Sequence, residues 1–373
     1  MNDPRPQRLA RLLGGRMLGL SAGHSVVIES PPVGAPLVEA LAAYAGRVGA
    51  HIAWLAIGGG YERAVLGSTA EDDLAREHRL HSALMRTADA IVGVDAAQDS
   101  TGLAGIPAER YAAWARGRKP GGEIRHRRHL EGGMQWAVVG FPCEVHAADA
   151  GMDYDDYADL VYAAAFCDRD GAEERWDRQG AAQARLVEHL AQGRELRIVA
   201  PGTDLTLRVD GRTWGSSAAV TNLPDGEVFT GPHEDSAEGV VTFPFPAHHA
   251  GRRIDGVRLV FERGVVVEAH ADDGQDVLDA ALAIDAGARR LGEVGIGTNY
   301  ALPRFTGRAL LDEKIGGTVH FALGSSYPET GGSNVSALHW DLVCDLRGGG
   351  ELLLDGRAIQ RDGVFVPELG LDL

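Results

Sequence analysis

The first half of the chain alternates between apolar runs of strand length and segments with apolar residues at helical spacing. Four strands are predicted there: SVVIE (25–29), HIAWLAI (51–57), ADAIVGV (88–94) and MQWAVVGF (134–141). Helices are predicted at 36–48, 71–86 and 107–116, followed by a longer helical region at about 172–193. Strands that alternate with helices through short turns favour a parallel sheet covered by helices. We therefore expect an α/β N-terminal domain with a parallel sheet.

From about residue 195 the pattern changes to short apolar or alternating runs separated by Gly, Asp and Pro. The runs of strand length are ELRIVAP, LTLRV, VVTFPF, VRLVFERGVVVEAHA and ELLLD, and one clear helix is predicted at 277–286. The change of period predicts two domains, 1–194 and 195–373. We expect the second to be an α+β domain with a mixed sheet.

The glycines of the N-terminal domain do not form a dinucleotide-binding fingerprint. Gly14, Gly15 and Gly19 precede the first predicted strand instead of following it. The triplet 58–60 does follow a strand, but it lacks the full G-x-G-x-x-G spacing. We expect no bound nucleotide in this domain.

Composition narrows the classes of partner and compartment. The net charge of −17 argues against a nucleic-acid partner and against an anionic membrane surface. Cys143, Cys167 and Cys344 are far apart and form no CxxC pair, which fits a reducing compartment without a disulfide framework. We see neither a signal peptide nor an apolar run of about 20 residues, so we expect a cytoplasmic protein. Only two lysines occur, Lys119 and Lys314.

Two polar residues interrupt an apolar, strand-like run near the end of the chain, in SALHWDL. His339 and Asp341 are separated by one residue, so on a strand both side chains point to the same face. A carboxylate buried beside an imidazole is costly unless something pairs with both. Three explanations fit: a hydrogen-bonded pair in the core, part of a catalytic triad, or a pair of metal ligands.

A triad also needs a nucleophile on a defined turn, and the chain contains no G-x-S-x-G sequence. A metal ion needs further ligands, and three candidates stand in short apolar segments bounded by glycine: His320, Glu227 and Glu293. Two histidines and three carboxylates form a nitrogen and oxygen donor set that suits Zn²⁺, Co²⁺ or Mn²⁺. Five ligands exceed what one tetrahedral ion needs, and Asp341 could bridge two ions.

Several longer segments resemble those of one family, the M29 metallopeptidases, or thermophilic-type aminopeptidases. The matching words are TDLTLRVDGR, NLPDGEVFTGP, DAGARRLGEVGIGTN, LDEKIGGTVHFALGSSYP and SNVSALHWD, which spread over about residues 195–345. The resemblance implies a two-metal site whose ligands fall on Glu227, Glu293, His320, His339 and Asp341. It also places the family's active-site tyrosine on Tyr327.

The resemblance implies hydrolysis of the N-terminal peptide bond by a water that two divalent ions activate, with Tyr327 hydrogen-bonded to the oxyanion. Either Glu227 or Glu293 would then serve partly as general base. It also implies peptide substrates and a homodimer. Two other hypotheses stay open at this point: a two-metal hydrolase of another amide or ester, and a non-catalytic α/β binding protein on the same scaffold.

Overall fold

The computed structural model describes residues 3–99, 105–249 and 251–373. Contacts between residues divide the chain into two compact units. The first extends to Glu173 and also includes Ala219–Pro224, and the second comprises Glu174–Ala218 and Asp225–Leu373. Within the described ranges, no helix is both long enough and apolar enough to cross a membrane.

The first unit is built on a parallel sheet with helices, as the alternating pattern predicts. Its strands are β1 (Ser25–Ser30), β2 (His51–Ala56), β3 (Ala90–Asp95) and β4 (Gln135–Gly140). They lie in the order β2-β1-β3-β4, all parallel, and Asn222–Leu223 pairs with β4 at the edge. The helices of this unit are α1 (Arg5–Leu12), α2 (Ala35–Val48), α3 (Gly59–Ser68), α4 (Glu71–Leu74), α5 (Arg79–Thr87), α6 (Ala108–Leu130), α7 (Glu144–Asp149) and α8 (Tyr154–Ala164).

Two helices of this unit differ from the sequence-based predictions. The segment predicted as one helix at 71–86 forms the separate helices α4 and α5. The helix predicted at 107–116 continues to Leu130 through Pro120. Gly117 inside this helix marks close packing instead of an end, because a Cβ there would lie 2.4 Å from the Leu74 carbonyl oxygen.

Helix α9 (Ala172–Leu190), which the sequence assigned to the first domain, belongs to the second unit from Glu174 onward. Leu186 and Leu190 of this helix are fully buried in the core of the second unit, which explains why the contacts assign the helix there. That 1–194 and 195–373 are separate domains stays a prediction from the sequence.

The rest of the second unit contains two larger antiparallel sheets and a separate antiparallel pair of short strands. The remaining strands of the chain are, in order, β5 (Glu195–Ala200), β6 (Thr203–Arg208), β7 (Gly215–Ser217), β8 (Asn222–Leu223, which belongs to the first unit), β9 (Glu227–Thr230), β10 (Glu238–Thr242), β11 (Ala247–His249) and its partner β12 (Arg252–Ile254), β13 (Arg258–Glu262), β14 (Val265–His270), β15 (Leu291–Gly297), β16 (Thr318–Gly324), β17 (His339–Asp345), β18 (Glu351–Leu354), β19 (Arg357–Arg361) and β20 (Val364–Phe365). Its other helices are α10 (Gln275–Leu282) and α11 (Ala309–Asp312).

The larger sheet has the order β14-β13-β10-β6-β5-β18-β19-β20, and the smaller sheet has the order β17-β16-β15-β9-β7. The α+β class is confirmed, but the mixed sheet is not what forms. Within each of the two sheets, every pair of neighbouring strands is antiparallel. Many consecutive strands here are joined by short turns, which connect antiparallel neighbours, whereas parallel neighbours need a crossover.

The two sheets share one apolar core. Leu205 and Phe261 of the larger sheet belong to the same buried cluster as Val294 and Phe321 of the smaller sheet. Phe243 meets the Phe321 ring edge-on, with the ring centroids 6.3 Å apart. The smaller sheet thus has one face in the core, which leaves its other face for polar side chains.

Candidate metal centre

All five ligands predicted from the sequence lie on one face of the smaller sheet, opposite the apolar core. Because side chains alternate along a strand, the apolar neighbours Val228, Val294, Phe321, Trp340 and Leu342 turn into the core. The polar residues between them turn to the opposite face. The donors are Glu227 on β9, Glu293 on β15, His320 on β16, and His339 with Asp341 on β17.

Each donor lies opposite a glycine or an alanine on one of its neighbouring strands. Glu227 pairs with Gly297, His320 with Gly295, and His339 with Gly324. Glu293 and Asp341 both lie opposite Ala322, one on each side of β16. Small partners leave the space above the sheet to the polar side chains, so the five donors can converge there.

Gly295 gives the strongest steric requirement of this kind. A Cβ built on Gly295 would lie 2.0 Å from the His320 imidazole, far inside normal contact distance. Replacing Gly295 by alanine should therefore displace His320, weaken metal binding and destabilise the fold by about 1–3 kcal/mol. Gly348→Ala is the matched control, since no atom lies within 4 Å of a Cβ there. Urea unfolding and zinc titration of both variants check this, and wild-type zinc affinity in Gly295→Ala would contradict it.

The first donor group consists of Glu227, Glu293 and His320, all of them buried. The His320 Nε2 atom lies 3.5 Å from Glu227 Oε2 and 3.5 Å from Glu293 Oε1. One ligand atom from each residue lies within 4.8 Å of the others, a spacing that can hold a metal ion.

The second group consists of Glu293, His339 and Asp341. The His339 Nε2 atom lies 3.5 Å from Glu293 Oε2 and 3.5 Å from Asp341 Oδ2. The other ring nitrogen, Nδ1, lies 2.9 Å from the Ser325 carbonyl oxygen. A carbonyl can only accept, so Nδ1 carries the proton and Nε2 is left with a lone pair for a metal ion.

Glu293 belongs to both groups, with one carboxylate oxygen directed at each histidine. The sequence suggested Asp341 as the bridging carboxylate. In the structure Asp341 takes part in the second group, and the carboxylate between the two histidines is that of Glu293. Which carboxylate bridges two bound ions is thus open to a direct test.

The chemistry of the donors fits a divalent cation. Among the described residues, the buried atom Glu227 Oε2, which lies 3.5 Å from His320 Nε2, has no hydrogen-bond partner, and this is costly without a ligand or water. Burial raises the pKa of Asp341 well above its usual value, and the charge of Glu313 adds to this. Burial likewise raises the pKa of Glu227 to about 7. A cation at this position would supply the missing partner and favour the ionised carboxylates.

The pKa of His320 also reflects the negative charge of the cluster. Burial alone would lower its pKa, but the hydrogen bond with Glu293 and the negative charge of Glu227 outweigh burial. The pKa of His320 is thereby raised to about 9. At neutral pH the His320 imidazole of the metal-free protein therefore carries a second ring proton. This proton must leave when a ring nitrogen binds a metal ion.

We expect the stability of the metal-free protein to fall as the pH rises from about 6.5 to about 9. The pKa of His320 is 6.5 without perturbation and about 9 in the fold, so its stabilising contribution is complete below 6.5 and is lost as the pH passes 9. Below 6.5 the trend is opposed by His81, whose pKa burial lowers to about 4. Melting temperatures of metal-free protein across this pH range check the sign. A melting temperature that rises with pH would contradict it.

Comparison with known proteins decides the family. The model of the thermophilic metalloprotease family M29 matches residues 2–357. The chain belongs to the M29 metalloprotease family. Aminopeptidase T from Thermus thermophilus is 29% identical over 97% of this chain and 96% of its own length. Aminopeptidase 2 from Geobacillus stearothermophilus is 32% identical over 62% of this chain and 63% of its own length.

The solved structure of wild-type AmpT from Thermus thermophilus has the same fold. It superposes with a TM-score of 0.83 at 25% sequence identity, covering 97% of this chain and 99% of that chain. The resemblance inferred from the sequence words is thus confirmed, and so is the pairing of an α/β part with an α+β part. The assignment of individual ligands remains a prediction that rests on the geometry given above.

Tyr327 lies beside the second donor group of this M29 protein. Its ring centroid is 5.3 Å from that of His339 and 5.8 Å from that of Phe229. The residue is 41% exposed, so it is not an ordinary packed core tyrosine. Burial of much of the ring, together with the negative charges of Glu293 and Asp341, raises the pKa of the phenol above its usual value. The hydroxyl therefore keeps its proton at neutral pH and can donate a hydrogen bond.

A cavity of about 170 Å³ adjoins the same group. His339, Asp341 and Glu313 line its polar side, and Phe305 and Trp340 contribute to its apolar side. The Phe305 ring stacks on Phe245, with centroids 4.6 Å apart and planes 6° from parallel. The cavity thus lies beside the second donor group, within the second unit.

Two further charged residues next to the centre were not assigned from the sequence. Glu313 and Lys314 stand in LDEKIGG and meet the ligand cluster: Lys314 Nζ lies 2.5 Å from Glu227 Oε1 and 2.9 Å from Glu313 Oε2. Burial alone would raise the pKa of Glu313, but the charges of Lys314 and His320 hold it below its usual value. The rarity of lysine in the chain was the one sequence signal for this pair.

Proposed function

We propose that this protein removes N-terminal residues from peptides at the metal centre, with one divalent cation in each donor group. The chain is then a metallo-aminopeptidase. The observation that carries the proposal is the convergence of five nitrogen and oxygen donors into two groups on one sheet face, in a chain that belongs to a metalloprotease family. The aminopeptidase activity is supported by relatives that bear this name.

Divalent cations bound in the two groups would lower the pKa of a water molecule and polarise the scissile carbonyl. The protein's own residues do the rest. His320 and His339 each offer one ring nitrogen, and the backbone carbonyl of Ser325 fixes the orientation of His339. A glutamate, Glu227 or Glu293, would accept the proton of the attacking water in part.

Tyr327 would stabilise the charge that develops on the carbonyl oxygen. It lies at the edge of the centre and keeps its proton, so its hydroxyl can donate to an oxyanion without prior reorganisation. The cavity beside His339 and Asp341 gives a place for a side chain of the peptide. These positions account for binding and for transition-state stabilisation, while proton transfer falls to a glutamate.

The finer assignments of metal, compartment and assembly are part of the same proposal. We propose Zn²⁺, Co²⁺ or Mn²⁺ as the ions, because the donor set contains imidazole and carboxylate but no thiolate. The three cysteines are buried thiols that form no disulfide bond, which supports a cytoplasmic location. A homodimer without nucleic-acid or membrane partners stays an expectation from the family resemblance and the net charge.

A matched pair of peptides tests the proposed function. One peptide has a free N-terminus, and the other has the same sequence with an acetylated N-terminus. We expect release of single N-terminal residues from the first, no cleavage of the second, loss of activity after exhaustive chelation, and recovery with Zn²⁺, Co²⁺ or Mn²⁺. Internal cleavage, or full activity after chelation, would refute the proposal. Hydrolysis of esters without hydrolysis of peptides would favour the other two-metal hydrolase considered above.

A further inference from the structure

Lys314 places a fully buried ammonium group at the back of the metal centre. Its side chain is 1% exposed, so it can touch neither substrate nor solvent. Nζ lies 2.5 Å from Glu227 Oε1 and 2.9 Å from Glu313 Oε2. Burying an ammonium ion is unfavourable unless it is paired with a charge and hydrogen-bonded. Here both partners are carboxylates at or beside the metal centre.

Because Lys314 hydrogen-bonds to only one carboxylate oxygen of Glu227, the two oxygens have different surroundings. Oε1 accepts a hydrogen bond from the ammonium group, while Oε2 points toward His320 Nε2 at 3.5 Å. In the described part of the chain, Oε2 has no hydrogen-bond partner of its own. Glu227 therefore offers a single oxygen to a metal ion, and the direction of that oxygen depends on where the ammonium group lies.

The backbone around Lys314 fixes the position of the ammonium group. The Lys314 N–H donates to the Leu311 carbonyl at 3.1 Å, and its carbonyl accepts from the Asn299 N–H at 2.9 Å. On the facing strand stands Gly297, whose added Cβ would lie 2.0 Å from the carbonyl oxygen of Ile315. The segment is thus packed directly against β15, the strand that carries Glu293.

The second carboxylate extends the connection to the other donor group. Glu313, held by Lys314, interacts with the carboxyl group of Asp341 and lines the cavity beside it. One ammonium ion is therefore linked directly to a ligand of the first group and, through Glu313, to a ligand of the second. Residues that orient metal ligands act through such contacts with the ligands or with groups beside them.

We propose that Lys314 is a positioning residue of the metal centre, which holds Glu227 as a one-oxygen ligand and aligns Glu313 beside Asp341. The inference rests on the proposed metal centre but adds a role for a residue that contacts no ion and no substrate. It also makes a prediction whose sign is informative. Removing a positive charge from a carboxylate cluster should strengthen cation binding by charge alone, whereas losing an orienting contact should weaken it.

The test compares Lys314→Met with Lys119→Met, which removes the other lysine of the chain from an exposed position on α6. Zinc affinity of the metal-free proteins is measured by competition with a chromogenic chelator, without peptide. We expect a loss of about 10- to 100-fold in Lys314→Met and none in Lys119→Met. Unchanged or tighter zinc binding in Lys314→Met would overturn the inference while leaving the metal centre intact. If wild-type protein binds no zinc, both proposals fail.

A double-mutant cycle shows whether Lys314 acts through Glu227. If it does, Lys314→Met should cost much less zinc affinity in a Glu227→Gln background than in the wild type. Equal losses in both backgrounds would overturn this part of the inference. Lys314→Arg, which restores a cation that can donate to Glu227, should recover part of the affinity lost in Lys314→Met, and no recovery counts against positioning.

NMR of the lysine ammonium groups tests the same inference on the wild-type protein, so the test does not require that a variant folds. With ¹⁵N only at lysine Nζ, the two lysines of the chain give at most two ammonium signals, and only the buried Lys314 is protected from exchange with water. Zinc should shift the Lys314 signal and leave that of Lys119 where it is. A Lys314 signal that does not move at zinc saturation would contradict contact between its ammonium and a metal ligand.

Discussion

Replacing Glu293 by glutamine is expected to remove both metal ions and to lower peptide hydrolysis by about a thousandfold or more. The Glu293 carboxylate has one oxygen 3.5 Å from His320 Nε2 and the other 3.5 Å from His339 Nε2. It is the residue that both donor groups share, so its negative charge serves both. Metal content by inductively coupled plasma mass spectrometry, measured beside kcat, gives the answer.

Comparison with two other variants shows which carboxylate bridges. Glu227 belongs to the first group and Asp341 to the second, so Glu227→Gln and Asp341→Asn should each lose one ion and keep part of the other. Bridging by Asp341, as inferred from the sequence, would instead make Asp341→Asn lose both. Glu268→Gln, an exposed change on β14, serves as the control with full metal content. Two ions retained in Glu293→Gln would contradict the role assigned to Glu293.

Replacing Tyr327 by phenylalanine should leave the metal content unchanged and lower kcat by about a hundredfold or more. The ring contacts with His339 and Phe229 survive the change, because only the hydroxyl is removed. The donors of the two groups do not include Tyr327, so metal affinity should not respond. What is lost is a proton donor to the oxyanion, which acts only in the transition state.

The measurement pairs zinc titration with steady-state kinetics on a short peptide. Tyr61→Phe, an exposed tyrosine in the first unit, is the control and should match wild type in both. Wild-type kcat in Tyr327→Phe would remove the catalytic role of Tyr327. A loss of zinc in Tyr327→Phe would show instead that the hydroxyl supports the ligands.

That the candidate donors lie on one face of a sheet could be predicted in part from the sequence, because strand geometry is local. Two residues spaced as His339 and Asp341 must share a strand face, and the family words aligned the remaining three donors. The small residues Gly295 and Ala322 stand in LGEVGIG and HFALG, two of the segments that resemble the family. Their meaning becomes clear only when cross-strand pairing puts each opposite a donor. The register between strands that are distant in the chain, which decides which residues lie opposite each other, cannot be read from a single sequence.

The connection of Lys314 to the centre could not be predicted for a related reason. A lysine next to a glutamate is usually a solvated pair, and nothing in LDEKIGG indicates that both side chains are buried against Glu227, which lies far away in the sequence. The same limit applies to α6. Gly117 and Pro120 resemble helix ends, whereas in the fold Gly117 permits close contact with the Leu74 carbonyl and the helix continues.

The centre itself is tested most directly by anomalous diffraction from crystals of the wild-type protein soaked in Zn²⁺, measured on both sides of the zinc absorption edge. The account predicts two anomalous peaks, one among Glu227, Glu293 and His320 and the other among Glu293, His339 and Asp341. Ligand distances should be about 2.0–2.2 Å. If saturating zinc gives no anomalous peak among these five side chains, the sheet face does not hold a metal centre and the proposed function is wrong.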